Sequence, residues 1–223
     1  MKLFPHWLGS LKSSPMADGQ PWISYSAIKF LDKYIQKKMV VFEWGVGGSS
    51  LYFSNRVERL ISVEHESEWA EKVKLSMAGE PQIPWQLHVI APEPQNVAAE
   101  LPAADPASFA SSVEPFTNLS FNRYARCIDQ YADALFDLVV VDGRSRVSCA
   151  SSGMAKVKPG GYLLLDDADR DRYAWVHEKM KQEQWERLVF GGPTPYVLPF
   201  RQTVIWRRPL IAPVERPRQG VAN

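Results

Sequence analysis

Acidic side chains occur where several apolar segments of this sequence end. They are Glu43, Glu64, Asp142, Asp166 and Asp167. Ligands of an open α/β sheet bind outside the carboxyl ends of its strands, so we expect these five carboxylates to converge on one edge. The paired oxygens of Glu64 match a vicinal diol, and Glu43 is placed to order the turn that follows it or to approach an ammonium group. The pattern predicts recognition of a polar ligand that carries a diol.

Three of these acids form a candidate metal site. Asp142 follows one apolar segment, and Asp166 and Asp167 follow the next. Hard oxygen ligands suit Mg²⁺, which retains water and lowers the pKa of a hydroxyl group bound to it. Nearby cations offer an alternative, because they can pair with the same acids and replace the metal. The sequence leaves both a Mg²⁺ site and a salt-bridge network open.

Four arginines follow the same two segment ends. They are Arg144, Arg146, Arg170 and Arg172. A guanidinium group donates two parallel hydrogen bonds to a carboxylate or phosphate, so the cluster predicts an anionic substrate. The alternative is that the arginines neutralise the five acids. The sequence alone does not decide between these two roles.

A strand, a glycine-rich turn and a helix position the first of these acids. Residues 39–42 are an apolar run typical of a buried parallel strand, and the turn E-W-G-V-G-G follows over residues 43–48. Two serines then open the next helix, where glycines let a ligand approach the backbone amides. A second strand over residues 60–63 leads to Glu64, which follows Glu43 by 21 residues. That separation brings an acid to a ribose in a βαβ unit.

The turn and the second acid resemble the class I, Rossmann-like methyltransferases that bind S-adenosylmethionine. E-x-G-x-G-G at a first strand and a glutamate ending the second are typical of them, and the later segments D-G, K-P-G-G and D-D are similar to their fourth and fifth strands. The resemblance implies that Glu64 binds the ribose hydroxyls and that the glycines admit the cofactor. The cofactor-binding residues that it implies are Glu43, Gly45, Gly47, Gly48, Ser49, Glu64 and Asp142.

Other interpretations of the glycine turn stay open. Dinucleotide-dependent dehydrogenases require G-x-G-x-x-G, and residue 50 is serine where the third glycine would stand. A glycine turn that binds no ligand is a second alternative. A non-catalytic protein or partner subunit that binds S-adenosylmethionine or another nucleoside is a third, because a fold does not imply an activity.

Methyl transfer requires an acceptor held in line with the sulfonium carbon and, for an alcohol, a group that helps the proton leave. Asp142 and Asp166 are the candidate catalytic residues for this step. The three acids are similar to the metal site of O-methyltransferases that act on catechols and sugars, although Arg144 and Arg146 follow Asp142 here. We therefore expect methylation, at oxygen, of a small anionic or glycan-like acceptor, with Mg²⁺ as a candidate second cofactor.

The remaining pattern predicts a single α/β domain with a doubly wound, mostly parallel sheet and an antiparallel last strand. We assign residues 1–20 to a partly ordered leader, 21–207 to the methyltransferase-like domain and 208–223 to a tail. A proline- and alanine-rich stretch over residues 91–120 is expected to be an insertion beside the strand ends. The short connection between the last two candidate strands favours an antiparallel hairpin.

Composition limits the partners of the chain. Its 26 basic and 25 acidic residues give a net charge of +1, so no general field attracts nucleic acid or a membrane. Cys127 and Cys149 are too few for a disulfide framework, and we expect buried thiols in a reducing compartment. No apolar run approaches the ~20 residues of a membrane span, and the first residues make a poor signal peptide. We expect a cytoplasmic protein.

Overall fold

The computed structural model describes residues 4–79, 83–95, 102–198 and 200–210. Its strands are β1 (Val40–Trp44), β2 (Arg59–Glu64), β3 (Trp85–Val89), β4 (Glu93–Pro94), β5 (Leu119–Ser120), β6 (Phe136–Val141), β7 (Val157–Leu165), β8 (Glu186–Phe190) and β9 (Thr203–Arg207). Its helices are α1 (Phe4–Ser10), α2 (Pro15–Asp18), α3 (Tyr25–Tyr34), α4 (Gly48–Ser54), α5 (Ser67–Met77), α6 (Asn122–Ala125), α7 (Arg146–Gly153) and α8 (Ala174–Gln182). Short 3₁₀ turns lie at Arg126–Gln130, Met154–Lys156 and Asp171–Tyr173.

Seven of the strands form one sheet in the order β3-β2-β1-β6-β7-β9-β8. The neighbours from β3 to β7 pair in parallel, whereas β9 pairs antiparallel with both β7 and β8. The helices α4, α5 and α7 are the crossovers of the parallel pairs β1–β2, β2–β3 and β6–β7, whereas α8 joins β7 to β8, which do not pair with each other. The mostly parallel sheet with an antiparallel last strand, predicted from the sequence, is therefore confirmed.

Apolar side chains alternate along β1 and create a core on each face of the sheet. Phe42 and Trp44 pack on one face with residues of β6 and β7 and with residues of the helices α6, α7 and α8. Val41 packs on the other face with residues of α3 and α4, among them Leu31 and Phe53. Successive strand residues point to opposite faces, so a strand buried on both sides is apolar at nearly every position. Glu43 is the polar exception in β1.

The leader and the insertion both contribute elements to the described structure. Trp7 of α1 is buried, and its indole nitrogen donates to the carbonyl oxygen of Val197 at 3.3 Å. Within the insertion, β4 and β5 pair antiparallel and Ala110 bridges to Ser120. Residues 96–101 of the insertion and 211–223 of the tail lie outside the described residues. Across the described ranges, no helix has the length and apolarity needed to cross a bilayer.

Candidate functional site

The glycine turn lies between the ends of β1 and β6. Gly45 has a φ of +89°, and a Cβ there would lie 3.1 Å from the backbone of Asp142 and from the Cα of Gly143. Its amide donates to the carbonyl oxygen of Val63 at 2.9 Å. A side chain at this position would therefore be strained by the backbone conformation and tightly packed against Asp142 and Gly143. Gly47 differs, because the nearest atom to its Cβ position is a ring carbon of Trp69 at 3.8 Å.

Glu43 lies inside β1 rather than at its end, and its carboxylate is fully buried. Oε1 accepts hydrogen bonds from Ser50 (2.5 Å) and Ser62 (2.8 Å), and Oε2 accepts one from Ser49 (2.7 Å). Burial raises the pKa of Glu43 to about 7, and the three hydroxyl groups oppose that rise. Glu43 therefore fastens the first turn of α4 to β1 and β2. It does not join the other acids at the sheet edge.

Glu64 ends β2 and is tied to the glycine turn. Its Oε2 accepts the Val46 amide at 3.1 Å, and its Oε1 accepts the amides of His65 (2.7 Å) and Glu66 (3.0 Å). Burial raises the pKa of Glu64, but hydrogen bonding and charge from His65 and the backbone amides outweigh it, and the pKa is lowered. The carboxylate is therefore ionised near neutral pH and remains an acceptor of hydrogen bonds.

An aromatic residue of the insertion and the aromatic residue before α6 pack against the ring of His65, which follows Glu64. The His65 ring lies with its Nδ1 2.5 Å from Glu64 Oε1, and both of its ring nitrogens are buried without a hydrogen bond of good geometry. Phe116 meets this ring edge to face at 4.8 Å, and Phe121 lies 5.8 Å from it. A buried ring nitrogen without a partner marks a place where a polar ligand atom would be stabilised.

The leader packs against the start of α4. A Cβ on Gly48 would collide with the carbonyl oxygens of Pro15 and Gln20. Tyr196 links the same segment to the loop after β8, because its hydroxyl donates to Asp18 at 2.9 Å. The space beside Gly48 is thus filled by the leader, whereas a Cβ at Gly47 would make only an ordinary van der Waals contact with Trp69.

The carboxyl ends of β1, β6 and β7 lie side by side at one edge of the sheet. The amide of Asp142 donates to Trp44 at 3.1 Å, and the amide of Asp166 donates to Val141 at 3.3 Å. The side chains of Asp142 and Asp167 pair with Arg146 and Arg170, respectively. Asp166 instead turns inward, where its buried Oδ1 accepts the Thr203 hydroxyl at 2.7 Å.

The predicted Mg²⁺ site at Asp142, Asp166 and Asp167 has no support in this geometry. Within the described ranges, no group of three or more His, Cys, Asp or Glu side chains is arranged to hold a metal ion. Asp142 Oδ1 lies 2.8 Å from Arg146 Nη2, and Asp167 pairs with Arg170. These oxygens do not fit Mg²⁺, because guanidinium and hydroxyl groups already occupy them. The salt-bridge network is the alternative that the structure contains.

The four predicted substrate arginines, 144, 146, 170 and 172, all line one cavity of about 250 Å³ beyond β6 and β7. Residues 110–113 of the insertion form another wall of it. A second cavity, of about 760 Å³, lies between α8 and the β8–β9 edge and is lined by Trp185 and Trp206 among others. Although larger, it is remote from the glycine turn, so the smaller cavity is the candidate acceptor site.

Sequence reasoning missed several residues of this site. Ser62 was not assigned to Glu43, because only the register of β1 against β2 makes them partners. Ser145 was given no role by the sequence, although its φ of 48° is left-handed. Ser112 and Phe116 were missed because the insertion carries no motif. For Ser62 the available signal was its position as a polar residue in the middle of β2, since buried strands are otherwise apolar.

Comparisons with known proteins agree with the sheet topology. No family model and no curated protein sequence matches the chain. Solved structures do match at the level of fold. A methyltransferase-like protein from Silicibacter pomeroyi is 19% identical, with 85% of this chain and 89% of that chain covered and a TM-score of 0.52. A proposed methyltransferase from Streptococcus mutans in complex with S-adenosylhomocysteine is 11% identical, with coverages of 81% and 95% and a TM-score of 0.54.

An rRNA methylase from Streptococcus thermophilus is similar to the same degree. It is 9% identical, with 81% of this chain and 93% of that chain covered and a TM-score of 0.54. Together with the antiparallel β9 between β7 and β8, these likenesses define the class I methyltransferase fold. At such identities the likeness extends to the fold, and the acceptor differs among the proteins that share it.

Proposed function

We propose that this protein transfers a methyl group from S-adenosylmethionine to an oxygen atom of a small acceptor molecule. The observation that carries the proposal is the bond between Glu64 Oε2 and the Val46 amide, 3.1 Å long. It joins the acid at the end of β2 to the middle of the glycine turn, at the strand edge where ligands of this kind of sheet bind. The antiparallel β9 argues against a dinucleotide-binding sheet.

The residues around the glycine turn and the end of β2 have the chemistry that S-adenosylmethionine requires. In our proposal Glu64 accepts the ribose hydroxyls, because its ionised carboxylate is an acceptor and the diol supplies donors. Gly47 leaves room for the cofactor beside the turn, and the unpartnered Nε2 of His65 supplies a polar contact nearby. Glu43 and Ser49 hold the first turn of α4 in place, and Gly45 lets the turn approach Asp142. When bound, S-adenosylmethionine supplies the electrophilic methyl group.

Asp142 is the side chain that we assign to the acceptor proton. It follows β6, lies against Gly45 and keeps 30% of its side-chain surface exposed. Burial raises the pKa of Asp142 and the charge of Arg146 lowers it, and the net direction is a rise. A carboxylate whose pKa moves toward neutrality suits a general base. Asp166 is buried on Thr203, so we assign it the positioning of the strand ends rather than contact with the acceptor.

Calorimetric titration with S-adenosylhomocysteine tests the cofactor assignment. Glu64→Gln is expected to bind it ten to one hundred times more weakly, which corresponds to about 1.5–3 kcal/mol for a hydrogen bond to a charged partner. Glu68→Gln, an exposed acid in the first turn of α5, is the matched control and should bind as the wild type does. A folded wild type that binds NAD more tightly, or no nucleoside at all, would remove the proposal.

Turnover with a labelled methyl group tests the activity itself. The acceptor panel should contain acidic sugars, neutral sugars, a catechol and a short RNA, since one protein of similar fold is an rRNA methylase. Methylation of sugar hydroxyl groups is the expected result. Binding of S-adenosylhomocysteine without transfer to any acceptor would point to a non-catalytic binding protein, and transfer to RNA would overturn the small-molecule acceptor.

A further inference from the structure

The cavity of about 250 Å³ beyond β6 and β7 carries a marked excess of positive charge. Arg144, Arg146, Arg170 and Arg172 line it against a single lining carboxylate, Asp167. The whole chain has a net charge of +1, so this excess is local. A concave wall of one charge sign concentrates its field inside the cavity and favours an anion there.

Two of the four arginines are already engaged by the protein. Arg146 lies 2.8 Å from Asp142 and donates to the carbonyl oxygens of Asp166 (2.6 Å) and Gly143 (3.0 Å). Arg170 pairs with Asp167. These two arginines hold the strand-end turns together, and their charge is largely balanced.

Arg144 and Arg172 are different. Within the described ranges, no carboxylate lies within 4.0 Å of either guanidinium group, and the Nε of each is buried without a hydrogen-bond partner. A buried donor without an acceptor destabilises a protein, so two in one cavity imply a missing acceptor. Arg144 stacks on Phe116 at 5.2 Å, and Arg172 donates to the Ser112 hydroxyl. Both contacts tie the arginines to the insertion.

Ser145 adds a third unpartnered donor at the same wall. Its side-chain oxygen is buried without a partner, and the residue is 6% exposed. Its φ of 48° is left-handed, a conformation that is strained for a residue other than glycine and tends to occur at binding sites. Ser145 also precedes α7, whose first amides have no partner within the helix and carry partial positive charge.

We propose that this cavity binds the oxyanion of an acidic sugar or sugar phosphate, held by Arg144, Arg172 and Ser145. The inference rests on the proposed function, because it makes this sugar the methyl acceptor. A guanidinium fork accommodates a carboxylate or a phosphate equally, so the oxyanion is the shared feature. The volume lies below the ~300–1,000 Å³ of drug-sized ligand sites, which suits an anionic group and about one sugar ring. Gly143, the residue after Asp142, also lines the cavity, so a sugar bound there lies beside the proposed base.

Binding measured without cofactor separates this inference from the proposed function. Inorganic phosphate, glucuronate and glucose 6-phosphate should be titrated into the wild type at constant ionic strength, with glucose as the uncharged control. Binding of one or both anionic sugars, at least ten times tighter than binding of glucose, is expected. Glucuronate alone would identify the carboxylate, and glucose 6-phosphate with phosphate would identify the phosphate.

Variants assign the binding to the cavity. Arg144→Gln and Arg172→Gln should each weaken anion binding ten- to one-hundredfold without changing the affinity for S-adenosylhomocysteine. Arg187→Gln, an exposed arginine outside this cavity, is the matched control and should bind normally. If one glutamine variant fails to fold, the other and Ser145→Ala keep the test decisive.

No anion binding to the wild type would overturn the inference, and so would equal binding by the arginine variants. Anion binding that depends on these arginines, in a protein that transfers no methyl group, would leave the site standing and remove the proposed function instead.

Discussion

The buried carboxylate of Glu43 should make the stability of this protein fall as pH rises. Its folded-state pKa is raised from 4.5 to about 7, mainly by burial. The folded protein therefore holds the Glu43 proton more tightly than the unfolded chain does between these values. Stability conferred by that proton is present below the unfolded pKa and is lost as pH rises through the folded one. Glu43→Gln removes the titration but keeps a carbonyl oxygen for Ser50 and Ser62.

The size of the effect follows from the shift. A change of one pKa unit corresponds to 1.36 kcal/mol, so ionising Glu43 in the folded state costs about 3 kcal/mol. The assay is urea unfolding followed by circular dichroism, at several values between about pH 5 and about pH 8. Over that window the wild type should lose about 2.5 kcal/mol relative to Glu43→Gln.

A matched control isolates Glu43 from other groups that titrate in the same window. Glu58 is exposed and immediately precedes β2, so Glu58→Gln should retain the full pH dependence of the wild type. Parallel pH profiles for the wild type and Glu43→Gln would refute the reasoning. They would mean that the three serine hydroxyl groups keep the carboxylate ionised throughout.

Two further predictions concern the turns at the strand ends. Gly45→Ala should lower the free energy of unfolding, measured with urea, by at least about 1–2 kcal/mol, because the φ of Gly45 is +89°. Gly47→Ala should fold normally and bind S-adenosylhomocysteine more weakly in calorimetry. Equal loss of stability in both variants would contradict this assignment. Arg146→Gln should lower the free energy of unfolding by about 2–4 kcal/mol, because it leaves Asp142 without its partner. An unchanged urea midpoint would show that water screens this pair.

Local sequence was sufficient for the central strands and helices and for the fold class, but not for α1, α2, β4 and β5 in the leader and the insertion. The strands at the centre of the sheet are short runs of apolar residues, and a strand buried on both faces needs nearly continuous apolar character. The turn at Gly45 was predictable because positive φ and close backbone approach both favour glycine. The antiparallel hairpin of β8 and β9 was predicted from their connection, and the two strands do pair antiparallel, although the connection spans residues 191–202.

Tertiary structure decided what the charged residues do. Arg144 and Arg146 are two positions apart in one motif, yet Arg146 is held by Asp142 and the buried Nε of Arg144 has no partner. Glu43 and Asp166 were expected with the other acids at the sheet edge, but both turn inward onto hydroxyl groups. Periodicity assigns a residue to a strand or a turn, whereas the partner of its side chain depends on register and on the packing of distant segments. The sequence by itself determined the fold and the position of the glycine turn. Only the tertiary structure decided which carboxylates and guanidinium groups are left for a ligand.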